Sequence, residues 1–139
     1  MDFNEVKADA LELATMIKSS NFTPDFIVGI ARGGWVPTRL LSEYLSIKKI
    51  LSVGITYTDK DRRKLSMYSS PSPFPRSSNI LIVEDCLESG RSMEYAVKEF
   101  ESSDNKVKSA CLYVTDEAVF KTDYYTKQLP CVPSFPWEK

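Results

Sequence analysis

Hydrophobic positions in the first half of the chain switch between helical and strand-like spacing. From Asp2 to Ser19 the apolar side chains recur every three or four residues, which predicts an amphipathic helix. Phe26 to Ile30 is a short apolar run followed by two glycines, which indicates a buried strand. Helical spacing returns from Val36 to Leu45, and Ile50 to Thr58 alternates as a second strand would.

The second half repeats this order after a long polar interruption. The segment from Asp59 to Ser78 is rich in proline, serine and basic residues, and loops of that length in small domains are usually functional lids or disordered. Ile80 to Val83 is the strongest strand signal in the chain. A helix is predicted from Ser92 to Glu101, and a further strand from Ala110 to Val114. This alternation predicts one α/β domain, residues 1–139, with a mostly parallel central sheet flanked by helices.

The composition excludes several kinds of chemistry. Lys and Arg number 18 against 19 Asp and Glu, so no global positive charge attracts nucleic acid. Histidine is absent, which removes the commonest general base and the Ser–His nucleophile systems. The three cysteines are odd in number and widely spaced, so neither a disulfide framework nor a zinc site is expected. Catalysis would therefore rest on carboxylates, backbone amides, Arg or Lys side chains, and Mg²⁺.

The start of the chain and its hydropathy predict a cytoplasmic protein. The first five residues contain neither a basic region nor an apolar stretch, unlike a signal peptide. No apolar run approaches the roughly 20 residues that span a bilayer. We therefore expect no membrane partner.

The sharpest motif is the stretch from Ile80 to Ser92. Four apolar strand residues end in the adjacent carboxylates Glu84 and Asp85, and a Ser/Gly loop then opens a helix. Ligands of open α/β sheets bind beyond the carboxyl ends of strands, and amides at a helix N-terminus cradle phosphate. Ionised carboxylates beside such a cradle accept hydrogen bonds from sugar hydroxyls. The stretch therefore predicts a site for ribose 5-phosphate.

This stretch resembles the phosphoribosyl diphosphate signature of type I phosphoribosyltransferases, with Glu84 in place of the commoner aspartate. The resemblance implies that Glu84 and Asp85 hold the ribose 2- and 3-hydroxyls, directly or through Mg²⁺. It also implies that the following turn wraps the 5-phosphate with five residues: Glu88, Ser89, Gly90, Arg91 and Ser92. Glu88 has a second implied role, because an acid at this position in the 6-oxopurine enzymes faces N7 of the base and moves its proton. A solvated loop acid is the alternative for Glu88.

A second motif, Ala31-Arg32-Gly33-Gly34, follows the first predicted strand and opens a helix. Glycines permit close backbone approach to an anion, and Arg32 adds a charged fork. The motif is not GxGxxG, so a dinucleotide site is poorly supported. It resembles the diphosphate-binding loop of xanthine-guanine phosphoribosyltransferases, which implies a cis peptide between Ala31 and Arg32. The alternative is a tight turn in which both glycines are purely structural.

The long polar loop takes its expected role from the same resemblance. Residues 58–78 lie where the family carries a mobile lid that shields the reaction from water. Arg63, within a basic cluster of this loop, is expected to meet the leaving diphosphate. The alternative is a solvated charged loop.

The C-terminal segment, residues 129–139, ends like the small xanthine-guanine enzymes. That resemblance implies that Val132 lies against the purine and that Pro133 offers its carbonyl to the edge of the base. Many 6-oxopurine enzymes read the O6 oxygen with a Lys, and the corresponding position here holds Thr115 or Asp116. Because of this difference, adenine or another base stays an alternative to a 6-oxopurine as the substrate.

The resemblance as a whole implies the type I phosphoribosyltransferase fold with a minimal hood. It implies a Mg²⁺-dependent transfer of ribose 5-phosphate from phosphoribosyl diphosphate to hypoxanthine, guanine or xanthine. The products would be a nucleoside monophosphate and diphosphate, and positioning rather than a covalent nucleophile would drive the step. A homodimer or homotetramer is expected, since such assemblies are common in the family and a small chain gains from interface burial.

Three alternatives stay open. The first is an enzyme of the same fold whose base is adenine or a pyrimidine. A regulator of this fold could sense nucleotides without catalysis, although no DNA-binding segment is present. A receiver-like domain could bind Mg²⁺ at adjacent acids, but such domains place their acid pair early in the chain, whereas Glu84 and Asp85 lie past the middle.

Overall fold

A computed structural model describes residues 1–138 of the chain. The helices are α1 (Phe3–Ser19), α2 (Trp35–Leu45) and α3 (Arg91–Glu101), and a 3-10 turn spans Pro136–Glu138. The strands are β1 (Phe26–Ile30), β2 (Ile50–Tyr57), β3 (Leu65–Ser69), β4 (Asn79–Leu87), β5 (Lys106–Thr115) and β6 (Lys127–Leu129). None of the helices within residues 1–138 is long and apolar enough to cross a membrane.

The strands form one sheet in the order β3-β2-β1-β4-β5-β6. Only β2 and β3 pair antiparallel, so the predicted α/β architecture with a mostly parallel sheet is confirmed. At the centre, Val28 of β1 lies between Leu51 of β2 and Ile82 of β4. Because these strands run in the same direction, the loops after β1 and β4 emerge as neighbours at one edge of the sheet.

Both faces of the sheet are covered by helices. Successive side chains of a strand point to opposite faces, so Leu81 and Val83 pack in the cluster formed with α1 and α2. Ile80 and Ile82 pack instead with the buried side chains of α3. This double burial explains why β4 is a continuous apolar run, and burial of each such side chain contributes roughly 2 kcal/mol.

The first helix begins where the sequence places a cap. The Asp2 carboxylate accepts a hydrogen bond of 2.9 Å from the backbone N–H of Glu5. The predicted apolar stripe of α1 is buried except at its first member, because Phe3 is 45% exposed at the start of the helix. The buried members are Val6, Ala10, Leu13, Ala14 and Ile17. α1 therefore packs as its sequence period predicts.

The polar segment at residues 58–78 contains more secondary structure than the expected lid. Leu65–Ser69 forms β3 and pairs with β2, which leaves residues 58–64 as a hairpin loop. The remainder packs near the amino ends of the strands, where the Phe74 ring stacks on Phe100 with centroids 4.5 Å apart. The Asn105 side-chain amide donates to the Pro75 carbonyl at 2.9 Å. Only the hairpin loop therefore lies at the carboxyl edge of the sheet.

Candidate active site

The signature stretch folds as a strand, a turn and a helix. β4 continues past the acid pair to Leu87, and α3 begins at Arg91. Gly90 caps α3 with a φ of 88°, a conformation that side chains disfavour. A Cβ at Gly90 would lie 2.7 Å from the Cβ of Phe120, so space as well as backbone angle requires glycine. The turn thus presents backbone N–H groups without intrahelical partners at the start of α3.

A cavity of about 530 Å³ opens over this turn. It is lined by the whole turn from Glu88 to Ser92, together with Glu84 from β4. Tyr57 and Arg62 close it from the hairpin, and Glu117 closes it from the loop after β5. We call this space the signature cavity. The structure therefore brings together six of the residues predicted from the motif: Glu84, Glu88, Ser89, Gly90, Arg91 and Ser92.

The two adjacent acids face opposite sides of β4. Glu84 lines the signature cavity, whereas Asp85 lies against Gly33 on the other face. Burial, with a smaller contribution from the charge of Asp85, raises the pKa of Glu84 to about 8. Burial also raises the pKa of Asp85, although the Cys86 N–H, which donates to its carboxylate at 2.7 Å, opposes the shift. Neither acid forms an ion pair with any residue in 1–138.

The Ala31–Gly34 loop packs directly against the signature strand. The Ala31–Arg32 peptide is cis, as the resemblance implied. A Cβ at Gly33 would lie 2.5 Å from a carboxylate oxygen of Asp85, and a Cβ at Gly34 would collide with the Val83 carbonyl. Both glycines are therefore required by close packing, and Gly33 allows the two motifs to meet.

A second cavity, of about 670 Å³, lies beside this loop. Arg32 and Gly33 form one side of it, and Trp35 extends the wall at the start of α2. Trp137 and Glu138, from the C-terminal turn, form the other side. The C-terminal segment therefore closes over the diphosphate-loop motif rather than over the phosphate turn.

The residues expected to contact the base lie outside both cavities. Val132 is 39% exposed, and neither it nor Pro133 lines the signature cavity or the second cavity. The Phe135 and Trp137 rings stack with centroids 4.6 Å apart, which anchors this segment. Lys139, the last residue of the predicted segment, lies outside the described residues.

The side chain of Arg91 reaches away from the turn to the hairpin loop. Its guanidinium donates to the backbone carbonyls of Arg62 and Arg63, each at 2.7 Å. It also lies over the Tyr57 ring, 5.4 Å from the centroid. Asp59 shapes the loop, because its carboxylate accepts the backbone N–H groups of Arg63 and Lys64 at 2.9 Å. Arg91 is therefore a bridge between the phosphate turn and the hairpin.

The hairpin arginines point to different spaces. Arg62 lines the signature cavity, and its guanidinium lies 4.7 Å from the centroid of the Tyr57 ring. Arg63, the residue expected to meet the diphosphate, lines a separate cleft on the far side of Arg91. The basic cluster indicated that the loop carries cations, but the sequence offered no signal for which arginine faces which side.

The loop after β5 places an acid at the cavity. Thr115 is buried and donates its hydroxyl to the Glu88 carbonyl at 2.8 Å, while exposed Asp116 accepts a bond from Gln128. Neither residue lines the signature cavity, whereas Glu117 does. Sequence reasoning missed Glu117, and the only available signal was its position just after a strand.

The donor set suits a metal ion that arrives with a substrate. Within residues 1–138 no group of three or more His, Cys, Asp or Glu side chains is arranged to hold a metal. Mg²⁺ is commonly bound through one or two carboxylates together with phosphate oxygens and water. Glu84 and Asp85 are two half-buried acids that form no ion pair within residues 1–138, so they fit that mode rather than a closed protein site.

Comparisons with known proteins agree with this geometry. The family model of the phosphoribosyl transferase domain matches residues 2–139. The purine phosphoribosyltransferase from Pyrococcus horikoshii is 26% identical with a TM-score of 0.88, over 100% of this chain and 92% of that chain. The xanthine-guanine-hypoxanthine phosphoribosyltransferase of Helicobacter pylori is 25% identical with a TM-score of 0.85, over 99% and 90%.

A third solved structure shares the fold at lower identity. It is a protein from Neisseria gonorrhoeae with bound ppGpp, 23% identical with a TM-score of 0.88, over 100% of this chain and 88% of that chain. No curated protein sequence matches the chain at a significant level. This third structure therefore supports the fold alone.

Proposed function

Because this chain belongs to the phosphoribosyl transferase domain family, we propose that it transfers ribose 5-phosphate from phosphoribosyl diphosphate to a purine base. The signature cavity is the observation that carries the proposal, since one space joins a helix-start phosphate turn to the half-buried acid Glu84. The purine is supported by the two solved structures of 25–26% identity, which are named for purine, or for xanthine, guanine and hypoxanthine.

The 5-phosphate binds at the turn from Ser89 to Ser92. The amides that begin α3 have no intrahelical partners, and the helix dipole favours an anion there. The Ser89 hydroxyl accepts a bond from the Arg91 N–H at 3.3 Å, so it shapes the turn from within. Arg91 contributes its backbone to this cradle, because its guanidinium is already bonded to the hairpin.

The acid pair binds the ribose hydroxyls and Mg²⁺. Glu84 lines the signature cavity, whereas Asp85 lines neither cavity and lies against Gly33, so the two acids approach the ligand from opposite sides of β4. Mg²⁺ supplies charge neutralisation to the leaving diphosphate. A cation favours the ionised form of Glu84, whose pKa of about 8 otherwise keeps it largely protonated near neutral pH.

The diphosphate lies along the Ala31–Gly34 loop. Gly33 and Gly34 allow the backbone to approach an anion closely, and exposed Arg32 adds a positive charge at the mouth of the second cavity. Arg62 faces the signature cavity from the hairpin and is the nearest lid cation to the phosphate turn. It takes the role that the sequence suggested for Arg63.

Glu88 carries the proton of the base. The base attacks C1 of the ribose through N9 as the bond from C1 to the diphosphate breaks, and the proton on N7 passes to the Glu88 carboxylate. Glu88 is exposed at the cavity, and its backbone carbonyl is held by Thr115. Contacts of Val132 and Pro133 with the base stay a prediction.

The decisive test is an assay of the purified chain with phosphoribosyl diphosphate and Mg²⁺. The panel of bases is hypoxanthine, guanine, xanthine, adenine, uracil and orotate, with the nucleoside monophosphate detected chromatographically. We expect a purine nucleotide and diphosphate in equal amounts, and no product when Mg²⁺ is chelated. Nucleotide binding without turnover on any base would contradict the proposal and favour a regulator.

Self-association belongs to the same proposal. Leu11, Trp35 and Tyr68 are large apolar side chains that are 53%, 52% and 65% exposed. Apolar side chains of this size gain free energy when a second copy covers them. We expect a homodimer or homotetramer, which light scattering after gel filtration would detect, and a monomer would contradict it.

A further inference from the structure

We propose that a cleft between the hairpin loop and α3 binds a second ligand, a molecule that carries several phosphate groups. The cleft has a volume of about 500 Å³ and is separate from the signature cavity. A volume of this order accommodates a small organic or phosphorylated molecule. We call it the hairpin cleft.

The hairpin cleft has a strong local excess of positive charge. Four cationic side chains line it: Arg63, Lys64, Arg91 and Lys98. Glu94 is the only carboxylate among its lining residues. None of the four cations forms an ion pair within residues 1–138. The chain as a whole has a net charge of -1, so this excess is a local property of the cleft.

Two rigid elements make these cations converge. On α3, Arg91, Tyr95 and Lys98 follow one another at spacings of four and three residues, which places them on one helical face. On the hairpin, the Asp59 carboxylate holds the backbone N–H groups of Arg63 and Lys64. The backbone of the loop is thereby fixed from inside, and both side chains line the cleft.

Arg91 separates the signature cavity from the hairpin cleft. It is the one residue that lines both the signature cavity and the hairpin cleft. Its guanidinium donates to the Arg62 and Arg63 carbonyls at 2.7 Å, so it cannot swing away without losing two bonds. A ligand in the cleft that contacts both the hairpin and α3 strengthens the same connection that Arg91 makes between these two elements. That ligand also holds Arg62 at the signature cavity, which couples the two sites.

Several phosphates suit the cleft better than one. The cations come from two elements on opposite sides of the cleft. An extended anion can form a charge-assisted hydrogen bond with the cations of both elements at once. Thr58 and Ser66 also line the cleft, although the Thr58 hydroxyl already donates to the Lys64 carbonyl at 3.4 Å. A chain of phosphoryl groups therefore matches the lining, whereas an apolar or cationic molecule does not.

The test is calorimetric titration of the full chain with inorganic tripolyphosphate, in the presence of saturating purine nucleoside monophosphate. We expect one tripolyphosphate to bind per chain while the nucleotide occupies the signature cavity. The double variant Lys64→Gln/Lys98→Gln should bind it about tenfold more weakly, a change of about 1.4 kcal/mol. The matched control Lys7→Gln/Lys18→Gln removes two exposed charges from α1 and should bind as the parent does.

Either of two results would overturn the proposal that the hairpin cleft binds a second ligand. Loss of tripolyphosphate binding when the nucleotide is present would place both ligands in one site. An unchanged affinity for tripolyphosphate in the Lys64→Gln/Lys98→Gln variant would show that these two lysines of the cleft do not bind it. Binding that depends on Lys64 and Lys98 in a chain without transferase turnover would support the cleft while contradicting the proposed reaction, so the two proposals fail separately.

Discussion

At the scale of single residues, carboxyl groups carry most of the chemistry because the chain has no histidine. Glu84, Glu88 and Glu117 share one cavity, but their surroundings differ. Glu84 is desolvated beside Asp85, whereas Glu88 and Glu117 are exposed at the cavity. Burial raises the pKa of Glu84 to about 8, so this carboxyl largely keeps its proton near neutral pH.

Replacement of Glu88 tests the proposed proton transfer. Glu88→Gln keeps the size of the side chain but removes its ability to take up a proton. We expect kcat to fall by about 100-fold with little change in the affinity for phosphoribosyl diphosphate. Steady-state kinetics with the preferred base would measure both, and Glu99→Gln on the exposed face of α3 is the matched control. Normal turnover in Glu88→Gln would remove this residue from catalysis.

The stability of the metal-free protein should depend on Glu84. The pKa of Glu84 is about 8 in the folded chain, against about 4.3 for an unperturbed glutamate. Between these values the unfolded chain binds fewer protons, so the free energy of unfolding falls as pH rises through this window. Glu84→Gln should therefore raise the Tm near pH 8 and change it little below about pH 4, where Glu84 is protonated in both the folded and the unfolded chain.

Thermal unfolding with a chelator present would measure this difference. The Glu99→Gln variant again serves as the control, because that side chain is exposed on α3. An equal change of Tm for Glu84→Gln at both pH values would contradict the prediction, because it would show that ionisation of Glu84 does not change the stability of the folded chain.

At the scale of elements, Arg91 joins the start of α3 to the hairpin. Two hydrogen bonds of 2.7 Å and the Tyr57 ring hold its guanidinium. The other hydrogen bonds of the loop within residues 1–138 are internal, among them those that the Arg63 and Lys64 N–H groups donate to the Asp59 carboxylate. The position of Arg62 at the signature cavity therefore depends on one side chain.

Removal of that side chain should loosen the hairpin. In Arg91→Ala we expect trypsin to cleave within residues 60–64 several times faster than in the parent, because local opening exposes the backbone. Arg91→Lys keeps the charge but cannot reach both carbonyls, so its cleavage rate should lie between the two. Arg39→Ala, which removes only an exposed ion pair with Glu43, is the control. Equal cleavage rates in all four proteins would contradict the role of Arg91 in holding the hairpin.

At the scale of the whole molecule, buried polar contacts connect elements far apart in sequence. Asp9 of α1 is buried, accepts a hydrogen bond from the Tyr113 hydroxyl of β5, and lies 3.1 Å from the Lys127 ammonium of β6. This network ties α1 to the edge of the sheet.

Tyr113→Phe should therefore destabilise the fold without altering the site. Loss of the hydroxyl leaves Asp9 with one partner fewer, which should lower the free energy of unfolding by about 1–2 kcal/mol. Urea denaturation would measure it, with exposed Tyr125→Phe as the control. A change within error for Tyr113→Phe would mean that water or Lys127 replaces the lost bond.

The strongest local patterns could be predicted from the sequence. The run from Ile80 to Val83 is buried β4, and the periodic apolar residues from Asp2 to Ser19 lie in α1. The glycine at position 90 and the pair after Arg32 occupy places where a side chain would not fit. Each of these signals lies within a few consecutive residues, so no distant contact was needed to recognise it.

Other elements depended on partners elsewhere in the chain. The strand Leu65–Ser69 was hidden in a polar segment, because its structure comes from pairing with β2. The same holds for the side-chain direction of Arg91, which the hairpin carbonyls determine. Local composition contains no information about such pairings.

By itself, the sequence determined the alternating α/β order and placed a phosphate turn and an acid pair at the end of one strand. Short-range periodicity and backbone requirements suffice for those inferences. Only the tertiary structure decided that Glu84 and Asp85 face opposite sides, that Arg62 rather than Arg63 faces the cavity, and that Glu117 joins it. These outcomes depend on contacts between residues far apart in the chain, which arise only when the sheet is assembled.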